Sequence, residues 1–469
     1  MSEPTAAGYN VHCPADRARM LEAIGLGSID GLFSQIPEDL RLKRLLDLPP
    51  PLSEWELEKH VRGLASQNST TLTHLSLLGG GAYEHHVPAV VSEIASRGEF
   101  LTAYTPYQPE ISQGLLRVLH DFQRLMGQLL GLPKANSSVY DGATALAEAS
   151  WMACSIRQIP RIAVAETIWP EWRSVLETYM TGRGVSIQTV PADPDSGLVA
   201  QDVLEQSLAR VPVAALVIQT PNMFGVVESV RPLAAICKSH GALTSVSSYP
   251  MLLGSVQSPG EQGADIVTCE AQSLGLWLNA GGPYLGVIAT RDEHEMFLPG
   301  RIVGDCDDLK GEPALALVKE KREQHVSREK ATSHICSNQA LMALRAVVYL
   351  ATVGENGFRR LSCLNAQKAH YLCERLCSLP GVALAKSGRF FNEFLLSLPC
   401  APARVLGALR EDGIFGGIDF ASLDPRYPHH LLIAVTETKS KSELDRIVAA
   451  FARALGLALA ARDSCGDRV

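Results

Sequence analysis

The stretch that decides the fold is Ala214-Ala-Leu-Val-Ile-Gln219, a helical segment from Val230 to His240, and then Ala242-Leu-Thr-Ser-Val246. Two short apolar runs separated by a helix of suitable length read as strand, crossover and strand. Neither run alternates with charged residues, so both faces of each strand are covered, as in a parallel sheet between helical layers. The same alternation continues upstream. Ile162-Ala-Val-Ala165 is followed by a helix from Glu171 to Met180, a strand from Val185 to Val190 and a helix from Gln201 to Ala209. These repeats predict a doubly wound α/β region with a buried parallel sheet.

The rest of the chain frames this centre. With 469 residues, 46% hydrophobic and 20% charged, the composition is that of a globular protein and excludes a disordered, collagen-like or coiled-coil chain. The balance of 42 basic against 50 acidic residues, net -8, gives no lysine/arginine block that could track a phosphate backbone, so nucleic acid is not an expected partner. The apolar tract Ile447 to Ala461 is interrupted by Arg453 and is too short to span a bilayer. Residues 1–10 lack the apolar core of a secretory signal. A cytoplasmic protein with no membrane association is expected. Its 11 cysteines match no zinc or redox spacing and read as reduced thiols, and no metal site is expected.

Residues 1–75 read as a helical arm. Asp16 and Ser28 are candidate caps, Pro49-Pro50-Pro51 is a stop, and Ser53 with Glu56 forms a capping-box spacing. Residues 76–340 are the expected large domain, which also contains a helix from Ile111 to Leu130. A long apolar helix from Asn338 to Ala351 leads into a small α+β domain, residues 341–460. Its strands are Phe394 to Leu398 and Leu431 to Val435, its helices Ala403 to Glu411 and Ser442 to Leu455. Residues 461–469 are an expected flexible tail. This plan is that of the aspartate-aminotransferase-like, fold type I pyridoxal-phosphate enzymes.

Such a site needs a lysine for the aldehyde, an acid for the pyridine nitrogen and an anion cradle for the phosphate. No lysine lies between Lys238 and Lys310. The place of the acid holds Ser247-Ser-Tyr249, which cannot keep a pyridinium charged as a carboxylate would. The turn Tyr140-Asp-Gly-Ala-Thr-Ala145 opens a helix and could cradle an anion, yet Asp141 is placed to cap it and to repel one. The scaffold is that of a cofactor enzyme without the cofactor chemistry.

Six stretches carry a more specific resemblance: Leu77-Leu-Gly-Gly-Gly-Ala-Tyr-Glu-His-His-Val-Pro-Ala-Val90, Phe100-Leu-Thr-Ala-Tyr-Thr-Pro-Tyr-Gln-Pro-Glu-Ile-Ser-Gln-Gly114, Tyr140-Asp-Gly-Ala-Thr-Ala-Leu-Ala-Glu148, Gly281-Gly-Pro-Tyr-Leu-Gly286, Pro299-Gly-Arg-Ile-Val-Gly304, and the run from Arg322 to Leu341. From about Asp16 to about Leu455 the chain resembles the glycine decarboxylase P-protein of the glycine cleavage system, in its alpha-type subunit. The resemblance implies that the cofactor lysine is absent from this chain, with Gln272 in its place. It also implies that pyridoxal phosphate sits on a beta-type partner chain, in an α2β2 heterotetramer. Glycine is decarboxylated there and the aminomethyl group passes to the lipoyl arm of the H-protein, so no catalytic residue is expected in this chain and the isolated chain is expected to be inactive. The chain departs from the family at Cys269, Tyr249 and His334.

Around that expectation, Tyr104, Tyr107, Gln108, Glu110, Asp141 and Thr144 are candidates to line a substrate or lipoyl channel, against a packing role. Arg322, His325, Arg328 and Lys330, at helical spacing, form a candidate basic patch for an acidic partner. Glu84, His85 and His86 lack the further ligands of a metal site. Two other readings compete with the first. One is a self-sufficient pyridoxal-phosphate lyase using Lys330 or Lys319. The other is a degenerate paralogue that binds or regulates another enzyme of this fold.

Overall fold

The computed structural model describes residues 12–44, 46–103 and 106–457, so the predicted tail at 461–469 lies outside the described residues. Two compact units are formed, residues 1–69 and 70–469.

In the first unit the helices are Pro14–Ala23 and Glu54–Ala65. Ser53 caps the second as its spacing predicts. The backbone N–H of Ser53 donates to Glu56 at 2.9 Å, and the Ser53 hydroxyl accepts from the Glu56 N–H at 3.4 Å. At the first helix Asp16 is not the cap. Cys13 holds that position and Asp16 sits three residues on, where its carboxylate accepts the Cys13 N–H at 3.2 Å. Ser28 precedes only the short 3-10 turn Ile29–Phe33 and caps nothing with its side chain.

The second unit contains a seven-stranded sheet in the order Lys134–Ala135, Gly286–Thr290, Ile266–Glu270, Leu243–Ser248, Ala215–Thr220, Arg161–Ala165, Ser186–Val190. The last five are mutually parallel, and their crossovers are the predicted helices Pro170–Thr181, Gln201–Arg210 and Val230–Ser239. The expectation of a purely parallel sheet is corrected at one edge. Gly286–Thr290 runs antiparallel to Ile266–Glu270, and Lys134–Ala135 antiparallel to it in turn. The reason is local: residues 271–285 form a loop without a helix, so the chain returns beside the strand it has just left. The strands Ala215–Thr220 and Leu243–Ser248 are buried at every residue, as the unbroken apolar runs require.

The predicted helix at 338–351 is longer. Ala340–Cys377 is two helices joined at Gly354, whose φ of 62° breaks the helical path, and it leads into the C-terminal layer. There a four-stranded antiparallel sheet, Ala383–Leu384, Glu393–Ser397, His430–Ala434 and Ile418–Asp419, packs on Pro402–Glu411 and Lys441–Ala454. Leu75 and Ser76, at the arm's predicted end, pair in parallel with Ile414 and Phe415 and so belong to this layer.

The large and small layers meet closely at Gly225, whose φ is +79°. A Cβ there would overlap the carbonyl oxygen of Glu393, which is backbone in a sheet and cannot yield. Gly225→Ala is therefore expected to cost about 3 kcal/mol or more in urea unfolding. A loss under about 1 kcal/mol would show that the contact relaxes freely.

Candidate functional site

The C-terminal ends of the parallel strands are where a doubly wound sheet places its ligand. Here Gln219 lies next to the end of one strand, Ser247 and Ser248 end the next with Tyr249 just beyond, and Glu270 ends the third; with Gly81, Tyr83, Trp169, Trp172 and Pro221 they enclose a cleft. The space left in it is about 20 Å³. That is room for about one water.

Gln272 follows the strand Ile266–Glu270 at the place predicted for the missing lysine. It is 1% exposed and fully engaged. Its amide oxygen accepts the N–H of Tyr83 at 3.0 Å, and its amide nitrogen donates to the carbonyls of Tyr83 at 3.1 Å and Leu276 at 3.0 Å. Residues 77–87 thus run through the cleft as a strap. On the other side, the strap is held by the small layer. The Tyr83 hydroxyl donates to Glu393 at 3.0 Å, the Gly80 N–H donates to the same carboxylate at 2.8 Å, and Lys439 pairs with Glu84 at 2.6 Å.

Beside Tyr83 lies a chain of three buried groups. Tyr249 hydrogen-bonds His85 Nε2, and His85 Nδ1 meets Glu437 at 2.8 Å. The other Glu437 oxygen accepts the His86 N–H at 2.8 Å. Burial works against the Glu437 charge, but His85 and the His86 N–H outweigh it and bring that carboxyl down to about 2. Burial holds the phenols of Tyr83 and Tyr249 well above their ordinary range, so both keep their protons. Tyr249, noted above as a departure, fills space and closes this chain of bonds.

At the start of the helix Gly142–Arg157, Asp141 accepts the Thr144 N–H at 2.7 Å, the capping role its sequence position suggests. A second acid, which sequence reading did not single out, sits at the same helix end. Glu270 accepts N–H groups from Gly142 at 2.8 Å, Gln272 at 2.9 Å and Leu285 at 3.0 Å. Burial pushes its carboxyl up to about 7, against those donors and with Asp141 adding to the rise. A pyridoxal phosphate does not fit this chain. The cleft offers the amide of Gln272 and no amine, two acids, Asp141 and Glu270, stand at the helix start where a phosphate would be favoured, and Tyr83, Trp169, Trp172 and Tyr249 leave only about 20 Å³ between them.

The other predicted residues gather elsewhere. Tyr104 lies outside the described residues. The Tyr107 hydroxyl donates to Asn338, and its ring lies 5.3 Å from the Arg301 guanidinium. Burial raises that phenol to about 12. Gln108 and Glu110 are exposed, and none of the three lines the cleft. The expected basic patch is corrected. Residues 320–330 are three single turns, and Arg328 breaks them with a φ of +56°, so the four residues share no helical face. Arg322 is 4% exposed, donates to the Leu298 carbonyl and faces Glu323 at 3.8 Å. His325, Arg328 and Lys330 remain exposed. Lys319 pairs with Glu295 at 3.5 Å, and neither it nor Lys330 reaches the cleft. Cys269 is buried in its strand, whereas His334 is exposed. Among the described residues no three His, Cys, Asp or Glu side chains are grouped to hold a metal, and no helix is long and apolar enough to cross a membrane.

Comparison with known proteins places this arrangement. Residues 9–451 match the family "Glycine cleavage system P-protein". A relative from Desulfitobacterium hafniense, named "Probable glycine dehydrogenase (decarboxylating) subunit 1", is 44% identical over 92% of this chain and 96% of its own length. A relative of the same name from Thermomicrobium roseum is 44% identical over 95% and 99%. Among solved structures, a glycine decarboxylase (P-protein) of the glycine cleavage system in inhibitor-bound form superposes with a TM-score of 0.87 at 38% identity, covering 96% of this chain and 100% of that one. A Lactobacillus brevis glutamate decarboxylase, at TM-score 0.65 and 14% identity, covers 91% of this chain and 97% of its own and shares the fold alone. The fold is that of the fold type I pyridoxal-phosphate enzymes.

The buried acids give the cleft a pH dependence. Glu393 and Glu270 have an ordinary value of 4.5 and stand at about 7 in the fold, where burial is the main cause. The folded chain binds their protons more tightly than the unfolded one. The stability this contributes is complete below about 4.5 and is lost as pH rises through about 7. Glu437 acts oppositely, its contribution being lost as pH falls from 4.5 toward about 2. Glu393→Gln keeps both hydrogen bonds, since its amide oxygen accepts the Gly80 N–H and the Tyr83 hydroxyl can turn to accept from the amide. Urea midpoints from about pH 5 to about pH 8 are expected to fall less steeply in this variant, leaving it about 1–3 kcal/mol ahead at the alkaline end. Parallel profiles would remove Glu393 as a source of the slope.

Proposed function

This chain belongs to the glycine cleavage system P-protein family, and on that premise we propose that it is the subunit of a two-chain glycine decarboxylase that does not carry the cofactor. It serves as part of a glycine dehydrogenase (aminomethyl-transferring) whose pyridoxal phosphate is held by the partner, beta-type chain. When bound there, the cofactor supplies an electron sink for decarboxylation of glycine. The lipoyl group of the H-protein receives the aminomethyl group. An α2β2 assembly in the cytoplasm completes the reading.

The observation that carries this proposal is Gln272. A glutamine whose amide is spent on the strap backbone stands where the aldehyde would need an amine, and the cleft beyond it holds about one water. The chain's own contribution is then to hold a shape: it supports the partner and borders the path of the lipoyl arm. Tyr107, Gln108 and Glu110 are the residues we assign to that border. His325, Arg328 and Lys330, all exposed, offer positive charge to an acidic H-protein surface, where rim charges chiefly speed encounter.

The purified chain mixed with pyridoxal phosphate is expected to develop no visible Schiff-base absorbance. Glycine–bicarbonate exchange is expected only after the beta-type chain is added. Borohydride reduction of the complex followed by peptide mapping should label a lysine of the partner alone. A label on Lys319 or Lys330, or exchange by this chain by itself, would overturn the proposal. Co-purification of the two chains with no gain in exchange would point instead to a regulatory paralogue.

A further inference from the structure

Side chains alternate across a strand, so the neighbours of the residues that line the cleft point to the other face of the sheet. Gln219 and Ser247 are paired in register across two parallel strands, and so, one residue on, are Thr220 and Ser248. Thr220 and Ser248 therefore share the opposite face, where they back a second and much larger groove of about 590 Å³. That is the size of an ordinary small-molecule site. One wall is Leu252, Leu253 and Val256 of the large layer. The other is Phe390 and Phe391, just ahead of the small layer's strand Glu393–Ser397, with Ala366 of the long helix beside them. The groove is preformed. Val227 donates its N–H to the Arg389 carbonyl at 2.8 Å, Val226 and Phe390 form a β-bridge, and the Phe390 ring is stacked on His370 at 4.0 Å.

The lining has a definite chemistry. Two guanidinium groups stand beside the apolar walls. Arg231 donates to the neutral amide of Gln257 at 2.6 Å, and the exposed Arg389 side chain has no ion pair or hydrogen bond among the described residues. Glu228 is the one acid in the lining. It is 5% exposed, and its oxygens are taken up by the Asn222 amide at 2.8 Å and the Val199 N–H at 3.2 Å. In a chain of net charge -8, this groove is locally positive. The Ser248 hydroxyl, 3% exposed, has no hydrogen-bond partner. Buried hydroxyls are normally paired, so this wall is one that the protein's own atoms leave unfinished. Packing of two layers can leave a groove, but it does not call for unneutralised guanidinium groups beside aromatic rings and an unpaired hydroxyl behind them.

We propose that this groove is a binding site for a small carboxylate with an apolar body. The planar guanidinium groups of Arg389 and Arg231 match the two oxygens of a carboxylate, and the body lies against Phe390, Phe391 and Leu252. The Ser248 hydroxyl offers a hydrogen bond to any polar group that the body carries. The inference goes beyond the assignment of the chain as a subunit and stands without a partner chain.

The test is a ligand-observed NMR titration of the full chain at low salt with three probes: phenylacetate, phenylacetamide, which lacks the charge, and acetate, which lacks the body. Phenylacetate is expected to bind with a Kd of about 1 mM or tighter, and each of the other two about tenfold more weakly or worse. Arg389→Gln, at an exposed position that leaves the fold alone, should weaken phenylacetate about fivefold or more and leave phenylacetamide unchanged. Ala366→Trp, which fills the groove from the helix side, should weaken phenylacetate by about tenfold or more. Phenylacetate binding no tighter than the amide or acetate, or equal affinity in wild type and Arg389→Gln, would overturn the proposal. So would a folded Ala366→Trp that binds as the wild type does. Should Ala366→Trp fail to fold, the Arg389→Gln titration decides alone.

Discussion

Tyr83 is held from both sides, and the arrangement of the cleft depends on that hold. Its backbone N–H and carbonyl are both satisfied by the amide of Gln272 in the large layer, while its hydroxyl is satisfied by Glu393 in the small one. A strap crossing an interior has backbone groups that no helix or sheet serves, and each would cost about 1–3 kcal/mol if left unpaired. A primary side-chain amide carries an acceptor and a donor and can serve both backbone groups of one residue. An ammonium has donors only, so a lysine at this place would leave the Tyr83 N–H without its partner.

The same strap decides how the layers meet. Ala434 donates its N–H to the Leu77 carbonyl, Thr436 donates to the Glu84 carbonyl, and Glu437 reaches His85 and His86. Gly225 brings the backbone of the large layer against the strand that carries Glu393. Many of these bonds are buried, where a low dielectric strengthens each one and raises the cost of breaking any of them. The layers are therefore tied through the cleft itself. Ties of that kind work against closure of the layers around a ligand.

The fold was legible because its strands are short, apolar and separated by regular helices, and the predicted and observed elements differ mostly by one or two residues. The antiparallel edge was not legible, since nothing in residues 271–285 marks whether the chain crosses over or turns back. The site was legible only in outline, from a stretch without lysine between Lys238 and Lys310, from Tyr249 where an acid was sought, and from the charge at Asp141. What fills it escaped because its partners are remote in sequence. Glu270 lies 128 residues from Gly142, and Tyr83 lies 310 from Glu393. The error at Arg322, His325, Arg328 and Lys330 has a different origin. Spacings of three and three suggest a helix, but Arg322 is drawn inward by the Leu298 carbonyl and Glu323, and the chain breaks at Arg328.

Absence of a lysine would not by itself make a stable subunit. A cleft shaped for an aromatic ring and a phosphate is costly when nothing fills it, because empty core volume destabilises by about 24 cal/mol per Å³. A void the size of a pyridine ring would thus take several kcal/mol from a fold whose net stability is only about 5–15 kcal/mol. In this chain Tyr83, Trp169, Trp172 and Tyr249 leave a space of about 20 Å³, and Glu270 accepts the Gly142 N–H at the start of the helix. The rings supply the apolar area that closes the cleft, and the carboxylate satisfies N–H groups that the helix end leaves free. The two answer separate costs, one of cavity and one of unpaired N–H groups, so neither makes the other unnecessary.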